Sequence, residues 1–493
     1  MIAANLPALQ VVLPLLAAPL CALLGRGRAA WLFATAVAWL SLAISVALLL
    51  QVLDGGELHY DFGDWDAPFG IDYVVDRLSA FVLLIVSGIG AVVLPYSWTS
   101  VERELPARQR PYFFTALLLC LAGLLGITIT GDAFNLFVLL EISSLSTYTL
   151  ISMGQDRRAL TASYQYLIMG TIGATFILIG VGLLYMLTGT LNMADLAERI
   201  VPLRESHTLQ TAFAFLVVGI GLKLALFPLH LWLPNAYAFA PSAVTAFLAA
   251  TATKVAVYVL LRFMFTVFGA GFVFDAMQAD WLLLPLALAA VFIASVVAMF
   301  QHDIKRMLAY SSVAQIGYMI LGVSLVSVTG LTGTLLHLFN HALMKGALFL
   351  ALGAVFYRIG SVQIEQMQGL ARQMPWTMAA FVAGGLSLIG VPLTVGFVSK
   401  WYLILGAVER GWWPVVGLIL VASLLAVVYI WRVVEAAYFR PRPEGATAVR
   451  EAPAALLLPT WLLVLANLYF GIDTQLTVGV ASGAAGMLLG AAP

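Results

Sequence analysis

Charged residues are scarce in this 493-residue chain: they make up 10% of it, against 62% hydrophobic residues. A soluble domain carries about 25% charged residues, and the mean hydropathy here is +1.01. The composition therefore predicts an all-α, polytopic membrane protein with the lipid bilayer as its main solvent. The formal net charge is zero, so no nucleic acid is expected as a partner.

Cysteine is nearly absent, since Cys21 and Cys120 are the only two and both lie in apolar runs. Two distant cysteines do not make a metal cluster or a disulfide framework. The sequence also lacks a glycine-rich nucleotide loop, an iron–sulfur motif and a haem motif. We therefore expect no cofactor, no resident metal and no redox chemistry in this chain, so that any enzymatic activity would belong to a larger complex.

Apolar runs long enough to cross a membrane, about 20 residues each, number about fourteen. Proline interrupts some of them, and the longest ones have room to tilt or break. The runs lie near residues 7–24, 31–53, 77–97, 112–130, 132–153, 161–188, 209–236, 241–267, 280–300, 304–326, 329–357, 376–405, 412–437 and 454–472.

The loops between these runs alternate in charge. Fourteen Lys and Arg residues lie in the loops after odd-numbered runs, and three lie in the loops after even-numbered runs. Basic loops mark the cytoplasmic side, so we predict a cell (inner) membrane protein with both termini outside. The fourteen are Arg26, Arg28, Arg103, Arg108, Arg110, Arg157, Arg158, Lys305, Arg306, Arg358, Arg372, Arg440, Arg442 and Arg450, and the three are Arg199, Arg204 and Arg410.

A weak internal repeat links GATFILIG, which starts at Gly173, with GALFLALG, which starts at Gly346. An offset of five runs, an odd number, inverts the second copy, as in transporters built from inverted repeats. Chance similarity between Gly- and Ala-rich helices is the alternative. The predicted regions are 1–111 (three helices and an acidic outside loop), 112–267 (first five-helix repeat), 280–437 (second repeat) and 438–493 (linker and last helix).

Lysine is rare, with five residues against nineteen arginines. Unlike arginine, lysine loses its proton when it is desolvated. Lys223, Lys254, Lys345 and Lys400 lie in apolar runs, whereas Lys305 lies at a loop. Lys223 and Lys254 are too deep to snorkel, so we predict that they transfer protons. Lys400 lies near the end of its run, where snorkelling is a live alternative.

Glu141 is the only carboxylate well inside an apolar run. A carboxylate at that depth needs a cation or a proton, and Lys223 lies at a similar depth. An ion pair would keep Lys223 charged, and separating the pair would favour proton release. The alternative is a static pair that only orients two helices.

His337, His341 and Lys345 are spaced four residues apart, which places them on one helix face. Histidine titrates near neutral pH and relays protons, so we predict a relay. Structural hydrogen bonding and a zinc site are alternatives, although the sequence shows no third zinc ligand nearby. His230, beside the breaks that Pro228 and Pro234 predict, is a weaker relay candidate.

Six motifs together resemble the antiporter-like subunits of respiratory complex I, membrane-bound hydrogenases and Mrp-type sodium/proton antiporters. The resemblance covers roughly residues 70–440. GDAFNLF and LTGTLNMADLAERI are most similar to the D-type branch of the Mrp antiporter subunits. The six motifs are GDAFNLFVLLEISSLSTYTL, GLKLALFPLHLWLPNAY, APSAVTAFLAATATKVAVYVLLR, HDIKRMLAYSSVAQIGY, HLFNHALMKGALFLALGAV and GVPLTVGFVSKWYL.

This resemblance implies fourteen transmembrane helices, two inverted five-helix repeats, and broken helices 7 and 12. Glu141, Lys223, Lys254 and Lys400 match the family's proton-transfer positions, and the histidines with Lys345 match its helix 11 connection. The expected function is proton translocation within a multi-subunit Na⁺/H⁺ antiporter, with other membrane subunits as partners. The alternatives are a proton-pumping subunit of a complex I-like NADH:quinone oxidoreductase or hydrogenase, and a standalone metabolite carrier.

Overall fold

A computed structural model describes residues 3–25, 27–445 and 447–490, so Arg26 lies outside the described residues. The described chain is almost entirely helical. Its helices are α1 (Leu6–Leu23), α2 (Gly27–Gly55), α3 (Arg77–Glu104), α4 (Arg110–Ile129), α5 (Ala133–Ser152), α6 (Arg158–Thr188), α7 (Met193–Arg199), α8 (His207–Leu224), α9 (Trp232–Phe239), α10 (Ser242–Ala250), α11 (Ala252–Leu261), α12 (Ala279–Met299), α13 (Ile304–Ser324), α14 (Val328–Ile359), α15 (Pro375–Ile389), α16 (Val395–Glu409), α17 (Trp413–Val434), α18 (Ala454–Ile472) and α19 (Gln475–Leu488).

The prediction of an all-α polytopic membrane protein is confirmed. Among the described residues, thirteen helical stretches are long and apolar enough to span a bilayer. The remaining predicted run, 376–405, consists of the two shorter helices α15 and α16. The inverted repeats and the boundaries of the four regions stay predictions.

Two of the predicted runs are interrupted by irregular backbone. Helix α8 ends at Leu224 and α9 begins at Trp232, while α15 ends at Ile389 and α16 begins at Val395. A non-glycine residue takes a left-handed conformation in each gap: Ala225 has φ 60° and Leu393 has φ 71°. That conformation costs about 1–2 kcal/mol for an L-residue, so the surrounding packing must hold both breaks in place.

The structure contains a third helix interruption, which the sequence analysis did not predict. Thr251, with φ −124° and ψ −59°, separates α10 from α11 inside run 241–267. The last carbonyls of α10 therefore lose their regular helical partners, and they become available to side chains in the protein interior.

Helix α14 lies at the centre and packs against α3, α10, α13, α15, α16, α18 and α19. Helices α10, α11 and α13 are almost wholly buried, whereas α2, α12 and α17 lie at the periphery. Large apolar side chains cover this periphery, as expected where lipid replaces water. Examples are Trp39 on α2, Trp281 on α12 and Leu424 on α17.

The acidic loop between α2 and α3 forms a hairpin, which the sequence analysis did not predict. Strands β1 (Leu58–Asp61) and β2 (Asp72–Val75) pair antiparallel, with Leu58 opposite Val75 and Asp61 opposite Asp72. Alternating polar and apolar residues in LHYD were the available signal. Helices α7 and α19 were also missed, and α19 packs against α3 and α14.

The two ends of the bundle gather different loops. Near the hairpin, the Tyr60 hydroxyl donates to Asn5 Oδ1 at 3.1 Å, and Met487 lines the same cavity as Glu57. Both ends of the described chain therefore lie at the hairpin end. At the other end, Arg158 and Lys305 line a common cavity, so basic loops meet there.

Candidate ion pathway

Glu141 and Lys223 are in direct contact. Lys223 is the penultimate residue of α8, immediately before the first break, and Glu141 lies in α5. Lys223 Nζ donates to Glu141 Oε1 at 3.2 Å and to Ser144 Oγ at 2.8 Å. The lysine side chain is 6% exposed and the glutamate side chain 26% exposed. The arrangement is a largely buried ion pair with one neutral hydrogen-bond partner.

A close crossing of α6 and α8 positions Lys223. A methyl group added at Gly219 would lie 2.7 Å from the carbonyl oxygen of Gly173, so only glycine allows the backbones to approach this closely. Behind the crossing, Trp232 Nε1 donates to the carbonyl oxygen of Leu222 at 2.9 Å. This bond gives the Leu222 carbonyl, which also accepts from the backbone N–H of Ala225, a second donor at the end of α8.

A small cavity of about 40 Å³ adjoins both Lys223 and α11, the helix that carries Lys254. Ser144, Thr147 and Tyr166 line one side of it, and Ala252 and Ala256 of α11 line the other. A water molecule needs about 10–15 Å³ of such space and two or more polar partners. The cavity therefore has room for water between Lys223 and the helix that carries Lys254.

Lys254 and Lys400 are held in the same way: each lies after a break and donates to the last carbonyls of the helix before that break. Lys254 is fully buried, and its Nζ donates to the carbonyl oxygen of Ala249, in the last turn of α10. Lys400 Nζ donates to the carbonyl oxygens of Ile389 at 2.7 Å and Leu388 at 3.2 Å, at the end of α15. An ammonium group is favourable at a helix C-terminus, so these two breaks explain why lysine is tolerated at depth.

His337, His341 and Lys345 all lie in α14 and are fully buried. The two imidazole rings are parallel, with centroids 6.1 Å apart. His337 Nδ1 lies 2.9 Å from the hydroxyl of Ser399, the neighbour of Lys400. Within the described part of the chain, neither ring nitrogen of His341 has a hydrogen-bond partner. The histidines therefore share a helix face without forming a continuous hydrogen-bonded chain.

Lys345 turns away from the histidines towards α13. Its Nζ donates to the carbonyl oxygen of Leu308 at 2.7 Å and to the Ser311 hydroxyl. His341 lies within electrostatic range of both Lys254 and Lys345, and His337 within range of Lys254 and Lys400. Each histidine is thus close enough to two lysines for their charges to act on it.

His230 lies in the first break, with 7% of its surface exposed. Its ring stacks on Phe227 with centroids 5.2 Å apart, and Nδ1 has no hydrogen-bond partner among the described residues. His230 therefore takes no part in the Glu141–Lys223 contact.

Comparison with known proteins identifies the family. Residues 130–426 match the model of the NADH:quinone oxidoreductase/Mrp antiporter transmembrane family. The chain belongs to this family. The resemblance that the motifs predict is confirmed.

Individual relatives of this antiporter-like chain carry different names. It is 43% identical to NADH-quinone oxidoreductase subunit N of Desulforudis audaxviator, over 96% of both chains. It is 31% identical to the D subunit of the Na(+)/H(+) antiporter of Alkalihalophilus pseudofirmus, over 88% of this chain and 87% of the other. A chain in the structure of the Mrp complex from Dietzia sp. DQ12-45-1b superposes with a TM-score of 0.90 at 29% identity, covering 99% of this chain and 98% of that one.

One sequence-based placement in this antiporter-like chain is wrong. Lys305, predicted to lie at a loop, is the second residue of α13 and is only 4% exposed. Its Nζ donates to the carbonyl oxygen of Ala240 at 3.2 Å and to Ser242 Oγ at 3.4 Å. The error arises because a helix-terminal lysine next to Arg306 is indistinguishable in sequence from a solvated, topology-setting residue.

Sequence reasoning also missed three buried charged residues. Glu104, at the end of α3, is 7% exposed, although it belongs to the charged stretch VERELPARQR. At the opposite end, Arg262 forms a buried ion pair with Asp76, with 2.5 Å between Nη2 and Oδ1. Glu104 and Asp76 lie at the two ends of α3, where composition does not separate buried charges from solvated ones. Arg262 lies where α11 continues as a π-helix.

Proposed function

We propose that this chain is a proton-translocating, antiporter-like subunit of a multi-subunit membrane complex. The observation that carries the proposal is the buried Glu141–Lys223 ion pair at a helix break. Buried ionisable groups inside membrane helices are costly and mark ion pathways. Lys254 and Lys400 are also buried at helix breaks, so buried ionisable groups occur across the molecule.

In this proposal the ion pair controls the first proton transfer. While Glu141 is in contact with Lys223, the ammonium is stabilised. When the pair separates, Lys223 gives up its proton through the adjoining cavity, which borders the helix that carries Lys254. His341 and His337 then relay the proton towards Lys400, and Lys345 and His230 are secondary relay candidates.

Proton translocation by this chain could be driven in two ways, by Na⁺/H⁺ exchange or by a redox reaction elsewhere in the complex. An Mrp-type Na⁺/H⁺ antiporter is supported by the similarity to the D subunit of a Na⁺/H⁺ antiporter and to the Mrp complex. A redox-driven complex is supported by the higher identity to NADH-quinone oxidoreductase subunit N. The same fold serves both systems and cannot select one of them, so the Mrp branch suggested by GDAFNLF is not preferred over the redox-driven one.

A standalone metabolite carrier is a weaker candidate. Ligand pockets for small molecules typically have volumes of about 300–1,000 Å³. The cavity beside the ion pair has a volume of about 40 Å³, which suits water and protons but not a metabolite. The larger cavity of about 390 Å³ lies at the hairpin end and is not lined by Glu141 or Lys223. The similarity to a chain of the Mrp complex supports other membrane subunits as the proposed partners.

The charge asymmetry supports a cell-membrane orientation with the basic loops in the cytoplasm. In that orientation the hairpin end, which holds both ends of the described chain, faces outwards. Inverted vesicles then expose the basic end to the medium.

The experiment is ion flux in inverted vesicles that contain the whole complex. Wild type is compared with Lys223→Met and Lys254→Met, with Arg28→Met as a control outside the pathway. Flux that needs sodium and no electron donor supports the antiporter, and flux that needs an electron donor supports the redox-driven complex. Wild-type flux in both assembled lysine variants would contradict proton transfer through these residues.

A further inference from the structure

A cavity of about 230 Å³ lies at the end of the molecule that carries the basic loops. We refer to it as the basic-end cavity. Its wall includes two charged groups that the pathway above does not use, Glu104 and Lys305, together with residues from several loops. The other charged groups that line it are Asp156, Arg158 and Asp303.

Glu104 is bound on both carboxylate oxygens. Oε1 accepts from the Ser100 hydroxyl at 2.5 Å, and Oε2 accepts from the backbone N–H of Ser242 at 2.9 Å. Ser242 is the first residue of α10. A helix N-terminus presents free N–H groups and partial positive charge, so this end of α10 holds a carboxylate that is almost completely buried yet lines the cavity.

Lys305 approaches the same residue from α13. Its Nζ lies 3.4 Å from Ser242 Oγ and 5.4 Å from the centre of the Phe356 ring of α14. Glu104 lies within electrostatic range of Lys305, yet the two form no direct ion pair within the described residues. Glu104 and Lys305 therefore both bind Ser242, and the Glu104 carboxylate is not in direct contact with the Lys305 ammonium.

Two helices lead inwards from this cluster to the central lysines. Helix α10 spans nine residues, or about 13 Å, and its last turn receives the ammonium of Lys254 through Ala249. On α13, the residues after Lys305 include Leu308 and Ser311, which are the partners of Lys345. Glu104 and Lys305 thus lie at the outer ends of two helices whose inner parts hold Lys254 and Lys345.

We propose that Glu104 is the residue that exchanges protons with the medium at the basic-end cavity, and that Lys305 is its positioning residue. The inference rests on the proposed function and adds the site where the proton enters or leaves. Glu104 takes a proton from water in the cavity and becomes a neutral carboxylic acid. The proton then moves inwards through water molecules that enter from the cavity and reaches an unprotonated Lys254 or Lys345, which regenerates the carboxylate and leaves the lysine charged.

The test is proton flux in inverted vesicles that contain the complete complex, measured as a function of medium pH. Glu104→Gln keeps an acceptor for the Ser242 N–H but cannot be protonated. We expect flux to fall at least tenfold and to lose its dependence on medium pH, while Glu104→Asp retains that dependence. Glu102→Gln is the matched control, because it lies on the same helix and its side chain is 55% exposed.

A second variant keeps the proposal falsifiable if Glu104→Gln fails to assemble. Ser100→Ala removes one hydrogen bond to Glu104 and leaves the helix intact, so it should displace the midpoint of the pH profile. Wild-type flux and pH profile in assembled Glu104→Gln, or an unchanged midpoint in Ser100→Ala, would overturn the proposal.

The same vesicles separate this proposal from the one on which it rests. If Lys223→Met abolishes flux while Glu104→Gln leaves it intact, only the assignment of Glu104 fails. If the wild-type complex shows no flux with either sodium or an electron donor, the proposed function itself fails.

Discussion

Replacing Glu141 with glutamine isolates the charge of the central ion pair, because glutamine keeps the side-chain size and one acceptor oxygen. The wild-type contact is 3.2 Å long. Two unit charges at that distance attract each other by about 5 kcal/mol at an effective dielectric constant of 20. Glu141 is 26% exposed, so we adopt about 3 kcal/mol, the lower end of the range for breaking a buried pair.

That loss destabilises the charged form of Lys223 relative to the neutral form. A loss of about 3 kcal/mol changes the ratio of the two forms by about 100-fold. If flux passes through the charged form, Glu141→Gln should therefore transport protons more slowly than wild type, by up to about 100-fold. Glu141→Asp keeps the charge at a longer distance and should lose less.

The assay is the initial rate of proton uptake, followed with a pH-sensitive dye in inverted vesicles that contain equal amounts of assembled complex. Glu435→Gln is the control, because its 3.0 Å ion pair with Arg440 is exposed, at 40% and 50% of the two side chains. Exposed pairs contribute about 0–1 kcal/mol, so this variant should match wild type. Unchanged uptake in assembled Glu141→Gln would refute the electrostatic role of the pair.

Three further predictions concern the packing, the hairpin and the second break. Gly219→Ala should destabilise the complex by about 1–3 kcal/mol through overpacking and slow proton flux, because it separates α6 from α8; Gly182→Ala, which faces open space, should leave thermal stability and flux near wild type. Partial burial lowers the pKa of His59, but the hydrogen bond and charge of Asp72, with smaller effects from neighbouring carboxylates, outweigh burial and raise it above 6.5. Protonated His59 should therefore stabilise the hairpin fully below pH 6.5, and this stabilisation should be lost as the pH rises through the raised pKa. Hydrogen exchange of β1 and β2, corrected for intrinsic rates, should accelerate over that range. The variant His59→Gln should remove the effect. Lys400→Arg keeps donors for the carbonyls at the end of α15 but does not release its proton, so the complex should assemble without flux; normal flux would make Lys400 a helix cap only.

The long contiguous hydrophobic runs made the fold predictable. Each of the fourteen runs contains at least one observed helix, because a bilayer requires about 20 apolar residues per span. The predictions missed local features of the backbone within and between the runs. Thr251 interrupts its helix without a proline or glycine at that position, and the hairpin strands are only four residues long.

Candidate residues were predictable where a charge lies inside an apolar run. Glu141, Lys223 and Lys254 could be identified because the cost of burying their charges makes them conspicuous. Glu104 and Lys305 could not, because each belongs to a charged stretch at a helix end. Burial of such residues depends on which distant helices cover that end.

The sequence by itself therefore determined the all-α membrane-protein class, the loop charge asymmetry and the family. These properties follow from composition, periodicity and contiguous motifs. Only the tertiary structure decided that Lys254 and Lys400 bind carbonyls at interrupted helices and that Glu104 and Lys305 meet at Ser242. Those contacts join segments far apart in the chain, so packing and not local sequence establishes them.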